Sequence, residues 1–358
     1  MDDGVQSECG SCGPCERACA GPDETCRPFG DETPGLETTP EGFLVLEDVS
    51  SSDVWVPSYG TNVVLHVDSR TREILGAYHS GPFPGDGSGL PGSGDAPVAV
   101  AVDLRGDAMV LNQAGTFESR WASVTRFAAR AEDCVDRDGD GLETSAGYGD
   151  VLPFESHDAW SDECILWHSV VDELPLVGQG RALAILETPG LDGTVAGRGW
   201  VGIELDHAFV EIDTETGERT GIEVPVGDAY FINDAVVDRD GKLWVAGNEG
   251  AIGLGLRLDT SRPDDGFERL PGPGGSFNFL LIDEDNAPWA AANDVYRWDR
   301  DEERWTGAGI LKAGRDGLVA TLVSDGQGSI WAGSRVHAFE ERAWRISRPD
   351  IRFALRRP

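Results

Sequence analysis

The stretch AVVDRDGKLWVAG, Ala235 to Gly247, carries an apolar run that ends at Asp238, a turn around Gly241, and Trp244 six residues after the Asp. The frame returns as LLIDEDNAPWAAA with Asp283 and Trp289, as TLVSDGQGSIWAG with Asp325 and Trp331, and as VAVDLRGDAMVLN with Asp103 and Met109 in the Trp place. Two looser copies, SSSDVWVPSYG around Trp55 and GRGWVGIEL around Trp200, keep the second half of the pattern and bring the count to six units. Each unit reads as two strands joined by a hairpin in which Gly or Asn supplies a positive φ. The indole at a fixed place on the second strand fills the space between neighbouring sheets.

Steps of 44, 45 and 42 residues lead from Trp200 through Trp244 and Trp289 to Trp331. A period of ~40 to 50 residues with four short strands is the pattern of a propeller blade. The runs after each Trp, such as DVYRWDR and ERWTG after Trp289, alternate apolar and polar residues and supply the third and fourth strands. The expectation is an all-β, six-bladed β-propeller of four-stranded antiparallel blades, with seven blades as the alternative. Blade one falls at about 43–80, and IRFAL near the C-terminus (Ile351 to Leu355) is expected to close the ring against it.

These units resemble the bacterial propellers that include the streptogramin B lyases, the NHL-repeat proteins and the periplasmic two-component-regulator propellers. Val54 to Tyr78 is especially similar to a lyase-type blade. The lyases typically carry a Glu soon after the Trp, in a W-F-T-E run, with a His nearby for metal-assisted elimination. Here the corresponding runs are WVPS, MVLN, WVAG, WAAA and WAGS, and after Trp200 the first acid is Glu204. The resemblance therefore implies the scaffold, and leaves a divalent-metal-assisted lyase or hydrolase at the channel mouth as the alternative to a binding module.

The 358 residues hold 64 Asp and Glu against 29 Lys and Arg, a net charge of −35. Such a surface repels phosphate backbones, which are bound by neutralising cations, so nucleic acid is not an expected partner. No run approaches the ~18 apolar residues of a membrane span. Five of the seven cysteines (Cys9, Cys12, Cys15, Cys19 and Cys26) crowd residues 1–40, a Cys-rich extension with an acidic linker ahead of the propeller at 41–358. Their spacing also matches an iron–sulfur run, but Ala20 stands where that motif has Pro and Cys26 is left over. Cysteine use points to an oxidising compartment, hence an extracellular or envelope protein. The start MDDGVQ lacks a signal pattern, so an upstream segment is expected, with a lipid-anchored cysteine to complete the odd five.

Met109 and Trp200 lie 91 residues apart, one period too many, and the excess has its own chemistry. Cys134-Val-Asp136-Arg-Asp138-Gly-Asp140-Gly-Leu142 reads as a calcium loop, with alternate carboxylates, a Gly for the sharp turn and the Leu142 carbonyl at the seventh position. The twelfth position is Gly147, which cannot ligate. A disulfide between Cys134 and Cys164 is expected to bring Asp162 and Glu163 alongside as the missing acids, in an insertion at about 131–164 of blade two.

None of the six histidines forms a metal motif or a close pair along the chain. The segments entering the innermost strands, GDAYFIND and GGSFNFLL, place Tyr230, Phe231, Asn233, Phe277 and Asn278 as a candidate mouth for an extracellular ligand, carbohydrate or peptide.

Overall fold

The computed structural model describes residues 36–38, 44–46, 53–59, 61–82, 96–113, 122–147, 149–171, 180–189, 195–250, 252–272, 277–307, 319–324, 329–336, 340–347 and 352–354. The five N-terminal cysteines, and the iron–sulfur reading with them, lie outside this set. Two units divide the chain, residues 1–52 and 53–358. In the first, Leu36–Thr38 pairs antiparallel with Leu44–Leu46.

In the second unit, the described residues form five four-stranded antiparallel sheets and one three-stranded sheet, built from strands consecutive in sequence except in blade two, where a two-stranded ribbon, Phe154–Ser156 with Ala159–Trp160, intervenes before the fourth strand. These are the six expected blades. Blade three, for instance, runs Gly180–Pro189, Val195–Ile203, Ala208–Asp213 and Arg219–Pro225. Blade two takes its first three strands from Ala96–Val102, Ala108–Gln113 and Ser123–Phe127, and its outer strand from Ile165–Val170.

Asp238 shows why the repeat has its form. Its Oδ1 accepts the backbone N–H groups of Asp240 and Lys242, and its Oδ2 accepts Trp244 Nε1 at 2.9 Å. Asp283 does the same for Asp285, Ala287 and, at 2.7 Å, Trp289. One carboxylate thus closes the hairpin and orients the indole. The turn residues Gly106, Gly241 and Asn286 have φ of 90°, 72° and 63°, the left-handed conformation that sequence pattern requires. Asp103 holds its own turn equally, but Met109 offers no donor, and Arg126 takes the indole's place at Oδ2.

Five apolar clusters are buried, and each lies between two consecutive sheets. Trp55, Met109, Trp200, Trp244 and Trp289 each enter the cluster shared with the following blade, the equivalence that the Trp period demands. Asp238 Oδ2 loses its hydrogen bond in Trp244→Phe and is left with Arg300 Nη2 at 3.6 Å, beyond hydrogen-bond reach, whereas Asp283 Oδ2 keeps Arg297 Nε at 3.1 Å in Trp289→Phe. Urea melts should therefore give Trp244→Phe a cost of about 2–3 kcal/mol and Trp289→Phe about 1 kcal/mol; equal costs would remove the Asp–indole bond as the reason for the repeat.

Two expectations are corrected. Trp55 and Asp68 are thirteen residues apart, as are Trp200 and Asp213, so Asp53–Ser58, Val63–Asp68 and Ile74–His79 correspond to the second to fourth strands of blade three. The run that would supply the innermost strand, Leu44–Leu46, pairs instead with Leu36–Thr38. The C-terminal Arg352–Ala354 pairs with Glu340–Ser347 as the outer strand of blade six, completing the four-stranded sheet that blades two to five also form.

Candidate functional site

Blade two carries its third strand to the rim at Phe127, and the chain returns only at Ile165. A disulfide joins Cys134 to Cys164, with their Cα atoms 4.4 Å apart. Within the loop Asp136, Asp138 and Asp140 are exposed, and one oxygen of each lies within 4.8 Å of the others. Asp136 accepts from Gly139 N at 2.6 Å and from Gly141 N at 3.3 Å, and Asp138 accepts from Asp140 N at 3.2 Å. Gly139 and Gly141 have φ of 81° and 113°, which lets the loop curl round its carboxylates. A hydrogen bond and the charge of Asp138 push the Asp140 carboxyl above its ordinary value. An oxygen-rich, mutually repelling donor set of this kind fits a hard cation such as Ca²⁺.

Asp162 and Glu163 sit close by with other partners. Asp162 is buried; its Oδ2 accepts from Ser145 N and Ser145 Oγ, and its Oδ1 from Thr144 Oγ1 and Cys164 N. Glu163 accepts from Arg137 N at 2.6 Å and Glu143 N at 2.9 Å. The two acids grip the backbone on either side of the Asp triplet, and the cluster of three does not include them. Leu142 lies between that triplet and the Glu143 N–H that Glu163 holds.

A second site forms where the innermost strands of blades two, three and four meet the strand Asp53–Ser58 of blade one. The pairing of the innermost strands slips by one residue at Val98, Arg181, Asn233 and Ala320, at the same level of blades two, three, four and six. A bulge re-aims the extra side chain. Val98, Arg181 and Asn233 line one cavity of about 580 Å³, together with Pro57, Tyr59, Pro97 and Gln113. Arg181 Nε donates to Glu204, and Asn233 Nδ2 donates to Phe277 O at 2.8 Å, so both polar groups are held in place.

Of the five proposed mouth residues, only Asn233 lines this cavity. Phe231 is exposed, and Asn278 donates its N–H to Ala291 O. Tyr230 and Phe277 are fully buried between sheets, a correction to their reading as ligand-facing rings. The reason is the slot opposite: a Cβ on Gly247 would meet the Tyr230 ring at 2.5 Å, and the phenol donates to Leu254 O at 2.8 Å. Burial raises the pKa of that phenol.

No protein-family model and no curated protein sequence matches the chain. Solved structures do. The WD40 repeats of RRP9 match with a TM-score of 0.52 at 11% identity, over 89% of this chain and 78% of that one. The fold is a β-propeller. A functionally unknown protein from Desulfotomaculum acetoxidans also matches at 0.52, with 10% identity over 86% of the propeller chain and 79% of its own. A virginiamycin B lyase from Staphylococcus aureus matches at 0.49, with 13% identity and 84% of each chain covered. Identities at this level speak for the fold alone.

One group was invisible in the linear order. The propeller's insertion brings His157 Nδ1 to 2.9 Å from His168 Nε2, while His168 Nδ1 meets Thr125 Oγ1 at 2.8 Å. Phe154 and Trp160 pack against His168. Arg181, Gln113 and Tyr59 at the cavity were missed as well. The available signal was an Arg at the head of the apolar run ALAIL, where an innermost strand should be uniformly apolar.

Proposed function

We propose that the protein is a binding module of the cell envelope or exterior, taking a carbohydrate or peptide in the cavity between its innermost strands. The observation that carries this is the makeup of the wall: amides of Gln113 and Asn233, the Arg181 guanidinium and the Tyr59 phenol around Pro57, Pro97 and Val98. Such groups orient a ligand by hydrogen bonds and ring contact. Among the described residues the wall holds no His, Asp, Glu or Cys to move a proton near neutrality, which supports binding over turnover. The disulfide supports an oxidising location. Nuclear magnetic resonance titration with neutral and acidic oligosaccharides and short peptides should show saturable shifts that Tyr59→Ala or Asn233→Ala abolishes. Product formation from any bound probe overturns the binding reading.

The acidic loop is proposed to hold a structural Ca²⁺ on Asp136, Asp138 and Asp140, with the Leu142 carbonyl, while Asp162 and Glu163 keep its backbone curled. Ion binding relieves the repulsion among the three carboxylates. Calorimetric titration should give one site, and at a hundred times Kd the ion stabilises the native loop by about 2.7 kcal/mol. The double variant Asp138→Asn with Asp140→Asn should titrate flat. A flat titration of the wild-type protein sinks the site.

A further inference from the structure

The cavity wall inverts the charge balance of the chain. With 64 acidic residues against 29 basic ones, a lining drawn from this sequence at random would be acidic. Among the described residues that line it there is one cation, Arg181, paired at Nε with Glu204 outside the lining, and no carboxylate. We propose that the cavity takes a small organic carboxylate and that Arg181 reads it, an inference that rests on the cavity being the ligand site.

The position of Arg181 follows from the fold. It is the extra residue of the bulge in Gly180–Pro189, between Gly180 paired to Ile203 and Ala182 paired to Gly202. An ordinary strand position would have carried it into an inter-sheet core, as Ala182 and Leu183 are carried. Glu204 accepts from Nε and is itself mostly covered, with a side-chain exposure of 14% against 37% for Arg181. That contact fixes the plane of the guanidinium. A planar fork with an anchored edge suits a carboxylate arriving to join or displace the partners Arg181 already has. Asn233 and Gln113 add amide donors and acceptors on the neighbouring blades, and Tyr59, 47% exposed, offers a ring face to the body that bears the carboxylate. Bulges at the same level of blades two, three and four supply one side chain each, so the lining at Val98, Arg181 and Asn233 sets specificity with no change to the sheets.

Two matched probe series test this on the full chain by calorimetry: D-galacturonate and its oligomers against neutral galactose oligomers, and a tripeptide with a free C-terminus against its amide. In at least one series the carboxylate should bind tenfold or more tighter than its neutral match, and which series responds identifies the source as acidic sugar or peptide. Arg181→Gln should abolish that preference. Glu204→Gln should leave it intact or sharpen it, since a competitor for the guanidinium is gone; a merely structural Arg–Glu pair would weaken binding in both variants alike. Neutral and carboxylate probes of equal affinity, with binding still lost in Tyr59→Ala, overturn the carboxylate assignment and leave the ligand site standing. Failure of every probe in both series overturns both.

Discussion

Arg126→Met is expected to destabilise the protein by about 3–5 kcal/mol, the cost of leaving buried charges without their partner. The Arg126 side chain is 2% exposed and touches Asp103 Oδ2 and, at 2.9 Å, Asp107 Oδ2, both carboxylates being equally covered. Nη2 makes both of those contacts, Nη1 donates to Thr214 O at 3.1 Å and to Glu215 Oε2 at 3.2 Å on blade three, and Nε is buried without a hydrogen-bond partner. The guanidinium therefore neutralises two acids of blade two and ties the sheet to its neighbour. Methionine matches the aliphatic part of the side chain, so the loss reports the charges more than the volume. Adding Asp103→Asn and Asp107→Asn removes the stranded charges, and the side-chain amide oxygen introduced by Asp103→Asn can still accept the turn N–H groups. The triple variant should recover a large part of the loss in urea denaturation. A cost below 1 kcal/mol for Arg126→Met alone would show that water reaches the two carboxylates.

The Met109–Arg126 substitution illustrates which parts of the molecule the sequence discloses. The Asp-to-Trp hairpin was legible because its chemistry is local: an Asp, a residue with positive φ and an indole donor within seven positions, repeated at a steady period. That Met109 breaks the frame was also legible, but the answering donor stands on the next strand, 23 positions from Asp103, and nothing local ties the two. The same limit explains the mouth. Tyr230 and Phe277 looked available as aromatic residues at strand entrances, yet their fate was decided by glycines on neighbouring strands, Gly247 and Gly255. The cavity residues were hidden by the bulges, since one extra residue shifts the inward–outward alternation by which strand faces are read. The Asp triplet and the cysteine pair needed only spacing, and both come together as read. The roles of Asp162 and Glu163 depended on which backbone N–H groups the curled loop left pointing inward.

Acid should act on this protein through two opposed groups, and removing either should uncover the other. Burial, and then the neighbouring His157, hold the His168 pKa down at about 3, against about 6.5 when unfolded. With the Thr125 hydroxyl donating to Ser80 O, His168 donates from Nδ1 and must accept at Nε2 from His157 Nδ1, so His168 has no place for another proton while His157 donates to it. The unfolded chain binds that proton more readily, and the stability due to His168 is whole above about pH 6.5 and falls as the pH drops towards 3. Asp234 runs the other way. Burial pushes its carboxyl up to about 7, against the backbone N–H groups of Leu280 and Ala235 that favour the anion, so its contribution grows as the pH falls from 7 towards 4. Full conversion at 1.36 kcal/mol per pKa unit gives roughly 4–5 kcal/mol for each, and because both residues are intermediate in exposure a few kcal/mol is the expected size. In the wild-type protein the slopes largely cancel between pH 7 and 4. His168→Gln should gain stability over that interval and Asp234→Asn should lose it, each by about 3 kcal/mol relative to the wild-type curve, whatever either substitution costs at pH 7. Subtracting the wild-type curve removes the contribution of the other carboxylates, including Asp103 and Asp107, which burial also raises. Difference curves that are flat for both variants would mean that neither group is shifted in the native protein. Two curves of the same sign would mean that the histidine pair accepts a proton without leaving its place against Phe154 and Trp160.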